Sequence, residues 1–315
     1  MRLVFCGTPA FALPTFEALR TARHEIALVV SQPDRPVGRA QQLTAPPVKL
    51  AALAAGIAVT QPEKIRSNAE FRARLEAIAP DAIVVVAYGR IIPPWMLELP
   101  RLGCINLHGS LLPKYRGAAP IQWAVAMGDS ITGNTTMRLE EGLDTGPILL
   151  QQGVEIGSTQ TSVDMFELLA QAGAPLMVDT LTGLAAGTIH ARMQNHEGAT
   201  YAPLLDREDG RMDFRGRGAH ELFNRWRGFQ PWPGAFTMLE DKKLIVHRMA
   251  PAAERVGWSA GEVGVEDGRL FVGCAGETTL ELMELQLEGK KRLTAQEFLR
   301  GNQLHAGVRL GAGEP

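Results

Sequence analysis

Residues Ala82 to Ala87 read Ala-Ile-Val-Val-Val-Ala, with no polar side chain on either alternate set. A strand written this way cannot turn a face to water, so it belongs inside a parallel sheet covered by helices on both sides. Its neighbours agree. Leu3 to Cys6 is a short apolar run ended by Gly7-Thr8-Pro9, and Phe11, Leu13, Phe16 and Leu19 follow at the spacing of a helix with one buried face. Ile26 to Val30 reads as a strand, Val48 to Ala55 as an alanine-rich helix, Ile57 to Val59 as a short strand and Ala69 to Ile78 as a helix. Cys104 to Leu107 is the next strand and Ala119 to Met127 the next helix. Strands and helices alternating at this pace predict an α/β fold with a doubly wound, mostly parallel sheet over about the first 190 residues.

Ser162 to Leu184 carries a long helical pattern in which Pro175 predicts a kink or break near Ala174. After it the rhythm changes. Phe236 to Leu239, Leu244 to Met249, Gly261 to Val265, Leu270 to Val272 and Thr279 to Leu287 are β-type runs separated by Gly or acidic turns, which predicts a small OB-like β-barrel. Thr294 to Arg300 is a last helix, opened by Thr294 with Glu297 three residues on, a capping box. The Asp-, Arg- and Gly-rich stretch from Asp206 to Gly218 reads as a linker. A chain of 315 residues is long enough for two domains at about 150 residues each, here 1–205 and 206–315.

Thirty-two Lys plus Arg against 34 Asp plus Glu leave a net charge of −2, so no global positive field holds a polyanion, and nucleic acid could be bound only at a local patch. Cys6, Cys104 and Cys274 are too few and too scattered for a disulfide framework or a zinc site. Met1 to Cys6 runs straight into a turn, leaving no room for the apolar core of a signal peptide. The longest apolar stretches, Leu50 to Thr60 and Ala82 to Tyr88, fall short of the roughly 20 residues that cross a bilayer. A cytoplasmic chain without membrane contact is expected.

In open parallel sheets, sites lie beyond the carboxyl ends of the strands. Asn106 and His108 end one apolar run on alternate positions, so their side chains share a face. The Gly- and Pro-punctuated segment from Gly109 to Pro120 follows, and Glu140 to Gly146 is an acidic turn carrying Asp144 after a strand from Thr135 to Leu139. An amide can hold a developing oxyanion, and a carboxylate beside a histidine orients it for acid–base work near neutrality. Each residue alone also suits a plain turn or cap. Ser110 lacks the Gly-x-Ser-x-Gly elbow of a hydrolase, and Pro9 stands where a dinucleotide loop needs its second glycine. No phosphate loop or metal-binding motif is present, so no metal is expected.

The strings Phe5-Cys6-Gly7-Thr8-Pro9, Gln32-Pro33-Asp34-Arg35-Pro36, Asn106 to Pro120, Gly142-Leu143-Asp144-Thr145-Gly146 and Pro231-Trp232-Pro233-Gly234-Ala235 occur in this order along the whole chain. In them the sequence resembles the folate-dependent formyltransferases, and among these the members that act on a charged initiator tRNA. The resemblance implies a Rossmann-like first domain and transfer of a formyl group from 10-formyltetrahydrofolate to the α-amine of methionine on initiator tRNA. It implies Asn106, His108 and Asp144 as the catalytic trio. It places the folate against Ser110, Leu111, Leu112 and Pro113, with Val86, Ala87, Tyr88 and Gly89 and the turn from Leu139 to Asp144 lining the pterin pocket. It assigns Arg35, Arg39 and Arg207 to tRNA, the first two on the long loop from Gln32 to Pro47, with the second domain assisting. The sequence departs from the family at Ala40-Gln41-Gln42 and at Leu204 and Arg207, where members often carry lysine. A monomer is expected. A formyltransferase acting on a small amine, a nucleotide or an amino sugar, is the rival within the fold. A non-catalytic folate- or tRNA-binding module is the rival outside it, and leaves the trio unexplained.

Overall fold

The computed structural model describes residues 1–38, 41–252, 254, 257–302, 304 and 307–311. Contacts divide it into two units. The first comprises Met1–Pro120, Ile131–Glu155 and Asp164–Pro203, and the second Ile121–Ser130, Ile156–Val163 and Leu204–Pro315.

The first unit is built on β1 (Arg2–Gly7), β2 (Glu25–Val30), the hairpin β3 (Arg35–Val37) and β4 (Gln42–Thr44), β5 (Val59–Thr60), β6 (Ala82–Val86), β7 (Cys104–His108), β8 (Arg116–Gly117), β9 (Ile131–Arg138), β10 (Ile148–Glu155) and β11 (Tyr201–Ala202). Seven of these form one sheet in the order β10-β9-β7-β6-β1-β2-β5. Its β7-β6-β1-β2-β5 part is parallel, while β9 and β10 run antiparallel. The period of two explains the layers. Leu3 and Phe5 of β1, with Ala82, Val84 and Val86 of β6, pack against Phe16 and Leu19 of helix α1 (Leu13–Thr21), Val48 and Ala52 of α2 (Pro47–Ala54), and Met177 and Leu181 of a long later helix. Val4, Cys6, Ile83 and Val85 face the other way, onto Phe71 and Leu75 of α3 (Ala69–Ile78) and Met96 of α4 (Pro94–Leu97). Both faces of β6 are buried, as its unbroken apolar run requires.

After α5 (Pro120–Ala126) comes the long helix, α6 (Ser162–Ala186), which runs through Pro175 as one element. Of the expected kink or break, no break occurs. An interior proline costs about 3 kcal/mol, but Leu169, Met177 and Leu181 are fully buried on this helix, each stabilising it by about 1.5–3 kcal/mol. Burial outweighs the missing hydrogen bond.

The second unit holds α7 (Ala219–Gly228), strands β12 (Phe236–Leu239), β13 (Lys242–Pro251), β14 (Val263–Glu266), β15 (Arg269–Cys274), β16 (Thr278–Leu287) and β17 (Leu293–Thr294), and α8 (Ala295–Gly301), which opens with the capping box on Thr294 and Glu297. The strands are antiparallel along β12-β13-β16-β15-β14, with β17 on β16. Closure comes from a segment without apolar periodicity: Leu310 bridges Leu239 at the end of β12, and Arg309 bridges Glu262 just before β14, joining the two ends of the strand path. The stretch 206–218 is not a linker. Met212 and Phe214 are buried in this unit's core, and Asp206 and Asp213 close tight turns by accepting backbone N–H bonds. The borrowed segments are equally integral: Arg227 donates to the carbonyls of Gly157 at 3.1 Å and Gln160 at 2.6 Å, and Trp123 packs edge-on to Phe229 at 5.3 Å.

Candidate active site

Cys104, Asn106 and His108 share one face of β7. Cys104 lies in the apolar cluster under that face, and Asn106 and His108 carry the row beyond its edge. Asn106 is 9% exposed, and among the described residues its side-chain amide has no hydrogen-bond partner. The amide is not fully buried, so it retains some access to solvent and has a donor to offer a ligand there. His108, 6% exposed, has a hydrogen bond at one ring nitrogen and faces a carboxylate with the other. Nε2 lies 2.9 Å from the Tyr115 carbonyl, which can only accept, so Nε2 carries the hydrogen there. Nδ1 faces Asp144 Oδ2 at 3.6 Å. The same carboxylate oxygen accepts the Gly117 N–H at 2.9 Å.

His108 and Asp144 therefore meet, with Asn106 two positions back on the same face of β7, but not by the route that strand order suggests. Because β9 is antiparallel to β7, its carboxyl end lies beside Ile105, at the opposite end of β7 from His108. The turn after it folds back, and two glycines allow this. A Cβ on Gly146 would collide with the Arg138 carbonyl, and one on Gly117, at φ 119°, would lie 2.7 Å from the Ala202 carbonyl. Asp144 itself adopts φ 50°, in the left-handed region.

The loop after β7 is stapled from below. Ser110 is fully buried, and its hydroxyl donates to the Lys114 carbonyl at 2.6 Å. Thr135 Oγ1 donates to the Ser110 carbonyl at 2.6 Å and accepts from Leu112 N at 3.1 Å and Gln151 Nε2 at 3.0 Å. The Leu112 side chain is buried on Met137 and Ile148, with Leu139 against them, whereas Leu111 and Pro113 are half-buried. Leu112 thus supports the loop from inside. Beside β7, the chain leaves β6 at Val86, with Ala87 and Gly89 exposed at φ 46° and 77°. Tyr88 turns its ring down into the apolar cluster, where burial pushes its phenol above the usual range, and only its main chain faces the strand ends. Its carbonyl accepts from Thr8 Oγ1 at 3.1 Å and Gln32 Nε2 at 3.2 Å.

Among the arginines read as tRNA contacts, Arg35 is exposed on β3 and Arg207 is exposed in the second unit, each without an ion pair among the described residues. Arg39 lies outside the described residues. Sequence reading missed the polar side chains behind the site, namely the buried Thr135, Arg116 and Gln194 and the half-buried Gln151. Only Arg116, inside the punctuated loop, carried any signal.

Among the described residues, no three His, Cys, Asp or Glu side chains are grouped to hold a metal ion, and no helix is long and apolar enough to cross a membrane. The sequence matches the formyl transferase family model over residues 1–181 and the formyl transferase C-terminal domain over 204–303. It is 64% identical to the methionyl-tRNA formyltransferase of Acidobacterium capsulatum, over 99% of this chain and 100% of that protein. It is 54% identical to the methionyl-tRNA formyltransferase of Koribacter versatilis, over 99% of each. Among solved structures it resembles an N-formyltransferase from Helicobacter canadensis in complex with folinic acid and dTDP-3-aminofucose, at a TM-score of 0.66 and 17% identity, over 89% of this chain and 98% of that one. The chain belongs to the methionyl-tRNA formyltransferase family, within the formyl transferases.

Proposed function

We propose that this chain transfers the formyl group of 10-formyltetrahydrofolate to the free α-amine of methionine on charged initiator tRNA, and that Asn106, His108 and Asp144 carry the chemistry. The observation that carries the reading is a histidine–aspartate pair at 3.6 Å at the end of β7, with an amide on the same face of that strand that has no hydrogen-bond partner among the described residues.

The folate suits the residues present. Asn106 offers a donor that nothing in the described chain uses, and the exposed main chain of Ala87 and Gly89 leaves β6 next to β7, where it can line a pterin edge. When bound, the cosubstrate supplies an activated formyl carbon on N10, whose bond to that carbon breaks as the new amide C–N bond forms. Asn106 Nδ2 donates to the formyl oxygen as negative charge gathers there; one such donor typically contributes about 3–4 kcal/mol to lowering the barrier. His108 and Asp144 take up the proton that the attacking amine must lose and return it to the departing N10, so charge and protons balance. Asp144 compensates the ring's charge during that passage. Tyr115 and Gly117 hold the pair through their main chain.

The residues Ser110, Leu112 and Thr135 shape the folate loop from within, while Leu111, Pro113 and the main chain at Val86 to Gly89 face the ligand. Arg35, Arg39 and Arg207 are assigned to tRNA phosphates, with the first domain, 1–205, holding folate and the second, 206–315, assisting with tRNA. A monomer working in the cytoplasm, where charged tRNA is used, completes the reading. One assay tests it: a radiolabelled formyl donor offered in parallel to charged initiator tRNA, charged elongator tRNA and small amines. Label on methionyl initiator tRNA is expected. Label confined to small amines overturns the substrate assignment.

A further inference from the structure

An aspartate enters the left-handed region at a cost, so Asp144 at φ 50° must be held there. Its own carbonyl and that of Gly146 converge on one nitrogen. Gln194 Nε2 donates to Asp144 O at 2.7 Å and to Gly146 O at 2.8 Å, using both of its hydrogens. The other end of that amide, Oε1, accepts from Arg116 Nε at 3.1 Å and Nη2 at 2.7 Å. Gln194 and Arg116 are 5% and 3% exposed, so neither contact is shared with bulk water.

The chemistry fixes the orientation. A guanidinium only donates, so it dictates that the glutamine oxygen faces Arg116 and that the nitrogen faces the two carbonyls. Arg116 has no carboxylate at ion-pair distance among the described residues. Its remaining contact is with His196 Nδ1, 3.3 Å from Nη1 and from Nη2. Its buried charge therefore serves neutral acceptors. Arg116 also sits between the two residues whose main chain holds the acid–base pair, Tyr115 on His108 and Gly117 on Asp144. That tripeptide is pinned in turn by the segment after Gln194. Tyr115 N donates to Thr200 Oγ1 and Arg116 N to Thr200 O, both at 2.8 Å, and β8 pairs in parallel with β11.

We propose that Gln194, oriented by Arg116, is a positioning residue that holds the Asp144 turn so that its carboxylate meets His108. The proposal rests on the assignment of Asp144 to formyl transfer. It explains why an amide stands at position 194: a glutamate of the same shape would satisfy Arg116 but would have no hydrogen to give the two carbonyls.

Gln194→Glu is therefore the informative substitution. The new carboxylate keeps Arg116 paired but sets an oxygen against the two carbonyls, so the turn is released: kcat falls by about tenfold to a hundredfold, the loss typical of a small misplacement of a reacting group, while the KM for the folate donor stays within about twofold. A fall in kcat at unchanged KM in protein that remains folded is an outcome that a merely structural side chain does not produce. Wild-type kcat in this variant overturns the proposal. Should it fail to fold, Arg116→Lys, which keeps the charge and loses the fork, is read the same way: a selective fall in kcat supports the proposal and an unchanged kcat overturns it. If the wild-type chain itself forms no formyl-methionyl-tRNA, the functional reading fails separately. Hydrogen exchange across residues 142–147 then decides the positioning, with faster exchange in Gln194→Glu than in wild type supporting it and equal exchange overturning it.

Discussion

The end of β7 and the β3–β4 hairpin are both polar, loop-rich parts of the same unit, and they are held in opposite ways. Around His108 nearly every buried polar group is bonded to main chain or to another side chain from far along the sequence. His108 is bonded to Tyr115, Asp144 to Gly117 and Gln194, and Thr135 to Ser110, Leu112 and Gln151. Among the described residues, the side chains that tie the hairpin to the rest of its unit lie at its foot. Asp34 takes Lys49 Nζ on both oxygens, at 2.8 and 2.7 Å, and Gln61 Nε2 at 2.7 Å, while Arg35, Pro36, Gln42, Leu43 and Thr44 are exposed. One region fixes the His108 ring and the Asp144 turn from several directions, and the other presents a charged arm from a latched base. Chemistry on a single carbon needs the first arrangement. Contact with a large polyanion needs only the second.

The largest effect should fall on turnover. Asn106→Ala and Asp144→Ala should each lower kcat by at least about a hundredfold with unaltered folding and little change in tRNA affinity; steady-state kinetics with circular dichroism of the same samples would show it, and near-normal kcat would erase the distinction between the regions. Next comes a matched pair of threonines. Thr135→Val leaves the buried Leu112 N–H without its acceptor and should cost about 1–3 kcal/mol of stability, whereas Thr44→Val, on the exposed hairpin, should stay within about 0.5 kcal/mol; denaturant unfolding measures both. Arg35→Ala should leave kcat unchanged, weaken tRNA binding several-fold and reduce the slope of log affinity against log salt by about 1. A change in kcat instead would place the hairpin inside the catalytic machinery.

The first of these regions was half legible in the sequence. Asn106 and His108 could be put on one face from their spacing, because a strand's period of two is local information. That Asp144 reaches them could not be derived from strand order, since β9 reverses direction and the turn returns by way of Gly117 and Gly146. Gln194 was invisible for the same reason: a lone glutamine in a loop acquires its meaning from Arg116, 78 residues away. The Pro175 break failed because burial on both sides of the proline is tertiary, not local. The barrel's closing segment around Leu310 has no periodicity to read. Core strands such as β6 were legible because their composition alone excludes an exposed face.

The smallest effects are those of pH, and they separate the two regions by sign. At the foot of the hairpin, hydrogen bonds from Lys49 and then Gln61 hold the Asp34 carboxyl below the usual carboxylate range. The folded value being the lower one, this contribution is present above the unfolded value of about 3.9 and is lost as pH falls through the folded one. Beneath β7 the sign reverses. Burial pushes the Cys104 thiol up to about 12, and Cys6, fully buried beside it, is raised well above its ordinary range by burial first and by Cys104 second. The folded state binds those protons more tightly, so their contribution is complete below the unfolded thiol value of about 8.5 and erodes as pH climbs from there towards about 12. Native protein at pH 8 should accordingly leave both thiols unalkylated by iodoacetamide for as long as it stays folded, with modification following global unfolding. At pH 5 the hairpin should keep its wild-type hydrogen exchange, and Asp34→Asn should speed exchange across residues 34–44 while leaving the thiols protected. Rapid alkylation of Cys104 in folded protein would mean that the layer under β7 opens as readily as the arm, and the contrast between the two regions would be gone.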